Sequence, residues 1–243
     1  MVNEKQAASR PGIFGTLVRK FFMDVAKSPG LLACCLFPPL FLLVFRLVVI
    51  DPVAHEDAPL FLLATGLLFS TGMVPGTTTV YPMAEAREKR TLRTLELAGV
   101  GRAPMVAAHG VVSTLWTALM GAVCFLVSGA AFDCLLPFML ITVAASIPLT
   151  ALSLVLGNQM AASFFSLPII ITGIAPLFFT YAEATFQALP LLPTGGGFAL
   201  VYALAEGTLL APGSILPAVA QLIWIVASLV ALVVAAPRIP GDE

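Results

Sequence analysis

Two histidines, 13 carboxylates and four cysteines are the side chains best equipped for chemistry in this 243-residue chain. Their spacing argues against most of it. A metal-dependent intramembrane protease needs histidines and carboxylates that converge at depth. Here His55 and His109 fall on opposite sides of the membrane in the topology derived below. The paired glutamates and later histidine motifs of a prenyl-protein protease do not occur, nor does a Gly-x-Ser-x-Gly nucleophile with a buried histidine. An ion pump would place carboxylates in mid-membrane, whereas Asp133, Glu183 and Glu206 fall at or near the predicted outer edge. His109, about two turns into a predicted helix, reads as a packed or cavity-facing side chain. Cys34, Cys35 and Cys124 lie inside apolar runs and Cys134 near an outer turn, an arrangement expected of packed or lipid-facing thiols rather than a zinc site or a disulfide. No metal site is predicted.

The elements that must carry these residues follow from composition. Hydrophobic residues make up 59% of the chain and charged residues 10%, with a mean hydropathy of +1.02. A soluble domain carries roughly a quarter of its residues charged, so most of this chain must have lipid as its solvent. A crossing needs roughly 20 apolar residues. The spacing of apolar runs predicts an all-α integral membrane fold with six crossings, at about 31–50, 59–81, 103–131, 135–156, 161–182 and 215–236. They form a single transmembrane domain over 29–237, flanked by a disordered tail at 1–12 and a short polar tail at 238–243. No cleavable signal pattern is expected at the N-terminus.

Eleven of the 12 Lys and Arg residues cluster. Lys5, Arg10, Arg19, Lys20 and Lys27 precede the first run, Arg87, Lys89, Arg90, Arg93 and Arg102 share one loop, and Arg238 follows the last run. Basic residues near helix ends stay on the cytoplasmic side, so both termini and the 84–102 loop are predicted to be cytoplasmic. Arg46 is the exception and is expected to snorkel outward, one turn from Asp51.

Three segments stand apart from the crossings. Over 13–28, Ile13, Phe14, Leu17, Val18, Phe21, Phe22 and Val25 share one half of a helical wheel, with Arg19, Lys20 and Lys27 on the other. This predicts an interfacial helix with its apolar side in lipid and its cations at the headgroups; Ser28-Pro29-Gly30 ends it. The stretch 183–214 is apolar yet broken by Pro190, Pro193, Gly195-Gly196-Gly197 and Pro212-Gly213, with Glu183 and Glu206 in it. It predicts short re-entrant helices forming an outer cap. Reading 186–211 as a crossing instead would give seven and put Arg238 outside, against the charge rule. Lastly, the inner half of the second crossing carries Ser70, Thr71, Gly72, Pro75, Gly76, Thr77 and Thr78. Its hydroxyls either line a translocation path or serve close helix packing.

The charged loop runs from Ala84 to Arg102. Glu85 and Lys89 are four apart in the favourable order, Leu92, Leu95 and Ala98 share a face, and Gly99-Val100-Gly101 ends the helix. A small apolar stripe with a charged rim suits docking to a partner; the alternative is a basic loop that serves topology alone. Glu88-Lys89-Arg90-Thr91-Leu92, then Leu95-Glu96-Leu97 and Arg102, resembles the first cytoplasmic loop of type-2 ATP-binding-cassette (ABC) exporter permeases. Arg90 stands where that family usually has Gly, and Gly99 stands near its usual Pro. The resemblance extends in outline over nearly the whole chain.

The resemblance implies a permease subunit in the cell membrane that exports an amphipathic or hydrophobic substrate. It implies a second permease chain, the same or a sister, and a separate ABC ATPase that carries ATP and Mg; no nucleic acid partner is implied. This chain has no Gly-x-x-x-x-Gly-Lys-Ser/Thr phosphate loop, so it is expected to bind no cofactor and to be a transport subunit rather than an enzyme. Glu85, Glu88, Lys89, Arg90, Leu92, Arg93, Leu95 and Glu96 would couple it to the ATPase. Two other readings remain open: a membrane-embedded enzyme or assembly factor that uses the loop for docking, and an ion-coupled secondary transporter.

Overall fold

The computed structural model describes residues 11–50, 58–89, 91–97, 99–155, 168, 170–176 and 189–235. Among them there is helix and no strand. Helix α1 (Pro11–Lys27) leads into α2 (Pro29–Phe45), which a π-turn at Arg46–Ile50 extends. Helix α3 (Ala58–Pro75) continues through a second π-turn (Gly76–Val80) into α4 (Tyr81–Glu88). Then come α5 (Thr91–Leu97), α6 (Arg102–Ser128), a 3-10 turn at Phe132–Cys134 and α7 (Leu135–Val155). After a 3-10 turn at Leu189–Leu191, the short α8 (Gly195–Ala205) precedes another 3-10 turn at Pro212–Ser214 and α9 (Ile215–Ala235).

Five helical stretches are long and apolar enough to cross a bilayer: Pro29–Ile50, Pro59–Ala86, Ala103–Ser128, Phe132–Leu154 and Pro212–Val234. The shortest has 22 residues, about 33 Å of helix against a hydrocarbon core of about 30 Å. The chain is a multi-pass helical membrane protein. The predicted crossing at 161–182 lies largely outside the described residues; 170–176 is helical. The predicted tails at 1–12 and 238–243 and the loop carrying His55 fall outside them too, apart from Pro11 and Gly12 in α1.

Helix α3 is the axis of the bundle. Its span is 78% buried, against 22% for the α2 span and 6% for the α9 span. It packs on α6, α2, α7 and α8. Such enclosure requires small side chains where backbones meet, because association in lipid rests on close van der Waals contact. A Cβ on Gly173 would sit 2.4 Å from the Gly72 Cα, so the 170–176 segment touches α3 backbone to backbone. On the other side, a Cβ on Gly121 of α6 would lie 2.9 Å from the Thr142 methyl of α7. Pro75 cannot donate to the carbonyl four residues back, and the backbone widens into the π-turn that starts at Gly76.

The 189–214 stretch contains no continuous span. Thr194, Gly195, Gly196 and Gly197 are buried, while Glu206 at the other end of α8 is exposed. Helix α8 is 11 residues long, about 16 Å, half a crossing. It enters the bundle glycines first and leaves through Gly207, at φ +69°.

Gly173→Val should force α3 and the 170–176 segment apart. The expected cost is about 1–3 kcal/mol, read as a lower Tm of the purified chain in detergent. An unchanged Tm would mean that the Gly72–Gly173 approach is not needed for packing.

Candidate functional site

One end of the bundle gathers α1, the start of α2, α4, α5 and the start of α6. Leu17, Phe21 and Val25 on α1 are buried in a cluster with Cys35 of α2, Val74 of α3, and Met105, Ala108, Val112, Trp116 and Met120 of α6. The apolar face expected in lipid is therefore covered mainly by α6. Aromatic contacts explain the preference: Phe21 stacks on His109 with ring centroids 3.8 Å apart, and Phe22 stacks on Trp116 at 4.9 Å. Phe14 stays exposed, as do Arg19 and Lys20. The Lys20 ammonium lies 5.7 Å from the Phe21 ring centroid, giving a layered cation, phenyl and imidazole.

The charged loop forms two helices, not the single one expected over 84–101. Residues 87–90 offer no apolar side chain to hold a packing face, and Thr91, a type that favours helix starts, opens α5. Glu85 and Lys89 make the expected ion pair at 2.5 Å, which holds the Lys89 ammonium above the usual lysine range. Gly99, at φ +83°, ends the second helix, and the Val100 N–H donates to Leu95 O at 2.9 Å. Leu95 packs inward against the α1–α6 cluster, whereas Leu97 is 82% exposed. Leu97 is the most exposed large apolar side chain described at this end, and the stripe of Leu92, Leu95 and Ala98 did not include it. Arg90 and Ala98 lie outside the described residues, as do the side chains of Arg87, Glu88, Leu92, Arg93 and Glu96.

Ser70, Thr71, Thr77 and Thr78 are all buried. Each donates to its own helix: Ser70 to Gly66 O and Thr71 to Leu67 O at 2.7 Å, Thr77 to Met73 O at 3.0 Å, Thr78 to Val74 O at 2.7 Å. Thr78 also reaches Ser113 Oγ at 3.1 Å, and Ser113 lies 3.3 Å from Thr150 Oγ1. This hydroxyl chain ties α3, α6 and α7 together. Ser113 and Thr150 escaped the sequence reading because a hydroxyl in an apolar run carries no sign of its partner.

At the opposite end, Arg46 finds a partner on α6. Its guanidinium donates to Val127 O at 2.5 Å, beside Gly129 at φ +74°. A cation there completes the last turn of α6 and meets the negative end of its dipole. Asp51 and Glu183 lie outside the described residues. Gln221 of α9 is a further residue that the sequence reading missed. It is 3% exposed, accepts from Gly197 N–H at 3.0 Å, and donates to Ala144 O at 3.3 Å and Pro193 O at 3.2 Å. Thr194 Oγ1 donates to Gly173 O at 2.9 Å.

Among the described residues no group of three His, Cys, Asp or Glu side chains could hold a metal ion. A cleft of about 410 Å³ opens at the α1 end, with Lys20, Asp24, Lys27, Glu85 and Lys89 at its rim and His109 and Thr78 in its wall. No family model matches the sequence, and no curated protein matches it.

Arg46→Met keeps the stem and removes the charge-assisted bond. It should lower stability by about 2 kcal/mol, seen as a Tm decrease in detergent. Gln221→Leu leaves the Gly197 N–H buried without an acceptor and should cost about 1–3 kcal/mol. Wild-type melting of either variant would contradict the cap or the glutamine bridge respectively.

Proposed function

We propose that this chain is the membrane-spanning permease subunit of an ABC exporter, one that moves an amphipathic or hydrophobic substrate out of the cell. The ATP and Mg belong to a separate ATPase subunit, and a second permease chain, the same or a sister, completes the membrane unit. The chain sits in the cell membrane with both termini in the cytoplasm and crosses it six times. Residues 161–182 supply the fifth crossing, and the 183–214 stretch caps the outer side.

The observation that carries this reading is how the charged helices attach. Helix α4 continues the backbone of α3, the most enclosed helix, while Leu95 anchors α5 to the α1–α6 cluster. A push on α4–α5 therefore acts on the bundle axis and on α6 together. That is what coupling to a motor subunit requires, whereas a basic loop kept only for topology needs no such anchorage. The resemblance of the 88–102 sequence to the permease loop agrees with it. The exposed Leu97 supplies an apolar anchor, and Glu85, Glu88, Lys89, Arg90, Arg93 and Glu96 supply a charged rim. The path is lined from α3, where Ser70, Thr71, Thr77 and Thr78 exchange their intrahelical bonds for polar groups of the substrate as the helices part.

Copurification with its ATPase is the direct test. Leu97→Asp should reduce complex formation about tenfold, since one anchor lost from an interface costs about 1–3 kcal/mol, with the Tm of the permease unchanged. Leu95→Ala should instead lower the Tm, because Leu95 packs inside. If Leu97→Asp leaves ATPase binding and export intact, the loop is not the docking site, and the enzyme or assembly-factor reading gains. A single cysteine at position 89 should be labelled only from the cytoplasmic side and one at 133 only from outside; the opposite pattern would invert the orientation.

A further inference from the structure

The cleft between α1 and the bundle contains a polar group that the fold leaves without a partner. His109 is 2% exposed, and its Nε2 has no hydrogen bond. The Phe21 ring covers one face of the imidazole at 3.8 Å. The same cleft is lined by Ser28 and Leu31, at the N-terminus of α2. That helix starts at Pro29, Ser28 makes no side-chain cap, and the Leu32 N–H takes the Ser28 carbonyl at 2.9 Å. The first-turn N–H groups at Gly30 and Leu31 thus have no helical acceptor. Lys20 and Lys27 stand at the rim with Asp24; the Lys89 charge is shared with Glu85 at 2.5 Å.

We propose that this cleft binds a phosphate ester, and its placement favours the headgroup of a membrane phospholipid in the leaflet at the α1 end. Three features converge on an anion with a polar stem. The α2 N-terminus presents free donors and the positive end of a dipole. Lys20 and Lys27 supply flexible point charges suited to a phosphate. His109 Nε2, deeper in, meets a glycerol or headgroup oxygen that would satisfy it. The remaining walls, Val25, Leu31, Pro82 and Ala86, suit the apolar part of the same molecule. The cleft opens where the apolar spans beginning at Pro29 and ending at Ala86 meet the charged helices, the depth at which headgroups lie. A volume of about 410 Å³ holds a headgroup and glycerol but not the acyl chains, which would extend into the bilayer. Bound there, the lipid ties α1 to α2 and α4. This binding does not depend on transport.

Native mass spectrometry of the full chain in a neutral detergent, with short-chain phosphatidylglycerol, phosphatidylcholine and diacylglycerol, tests the proposal. Phosphatidylglycerol should be retained about tenfold better than diacylglycerol, and its binding should raise the Tm. Lys20→Gln with Lys27→Gln should lower that retention about tenfold. His109→Phe keeps the stack but loses Nε2, and should weaken binding while the lipid-free Tm holds; His109→Gln should restore part of it. Equal retention of phosphatidylglycerol and diacylglycerol, or wild-type retention by the double lysine variant, would overturn the site. Glycerol 3-phosphate binding with loss in the same variants, without lipid retention, would keep the phosphate ester and overturn its lipid source.

Discussion

Everything in this fold answers to one constraint: α3 runs through the middle of the molecule in a medium without water. A polar atom on it gains by finding its partner inside the protein, because an unsatisfied group in hydrocarbon costs several kcal/mol; Thr65 Oγ1 alone on this helix, among the described residues, is buried without one. The chain meets this by turning Ser70, Thr71, Thr77 and Thr78 back onto carbonyls of the preceding turn. A hydroxyl bonded in this way is short enough to be packed over, so α2, α6, α7 and α8 can close around the helix. Gly72 and Gly66 provide the remaining room. Burial and polarity coexist here because the polarity is already spent on the helix itself.

Among the described residues, the same constraint shapes the two long-range bridges made by larger polar side chains, both of which serve helix ends. Arg46 serves the end of α6, where the last carbonyls lack intrahelical donors. Gln221 serves the start of α8, where the N–H groups lack acceptors, and it also donates to Pro193 O in the broken 189–195 stretch and to Ala144 O of α7. The triple glycine lets α8 start where a Cβ on Gly195 would collide with the Leu189 carbonyl and one on Gly196 with the Pro217 carbonyl. Close approach and an open helix end thus occur together, and one glutamine resolves both.

What the sequence disclosed, and what it hid, follows the same physics. Helix existence was legible, since apolar length, the Ser28-Pro29-Gly30 break and the Pro-Thr-Gly-Gly-Gly break act locally; the end of α6 at Gly129, short of the expected 131, was not. The amphipathic period of α1 was legible as well, but period says only that one face avoids water. It cannot say whether lipid or α6 covers that face, because both are apolar. Leu95 shows the same ambiguity on α5: helical spacing put it on a stripe, and only the neighbouring cluster tells that the stripe faces inward. The partner of Arg46 stayed hidden because the Val127 carbonyl that captures it is 81 residues away. Gln221 and Ser113 carry long-range partners of the same kind. Rigid anchoring and unsatisfied donors are properties of contact, not of spacing.

The α1 end concentrates what the rest of the bundle avoids. Elsewhere two irregular helix ends are bridged by a side chain of the protein: Arg46 at α6 and Gln221 at α8. At α2 the equivalent bridge is missing, for Ser28 does not cap and His109 has no partner. The chain has hydroxyls, carboxylates and amines within the same cleft, so the unpaired groups do not come from a shortage of polar side chains. Phe21 and Trp116 also anchor α1 through stacking that would be retained without any ligand. An end held by stacking and polar at its base can exchange a small anion without unfolding, which is the property that separates a binding site from a packing defect.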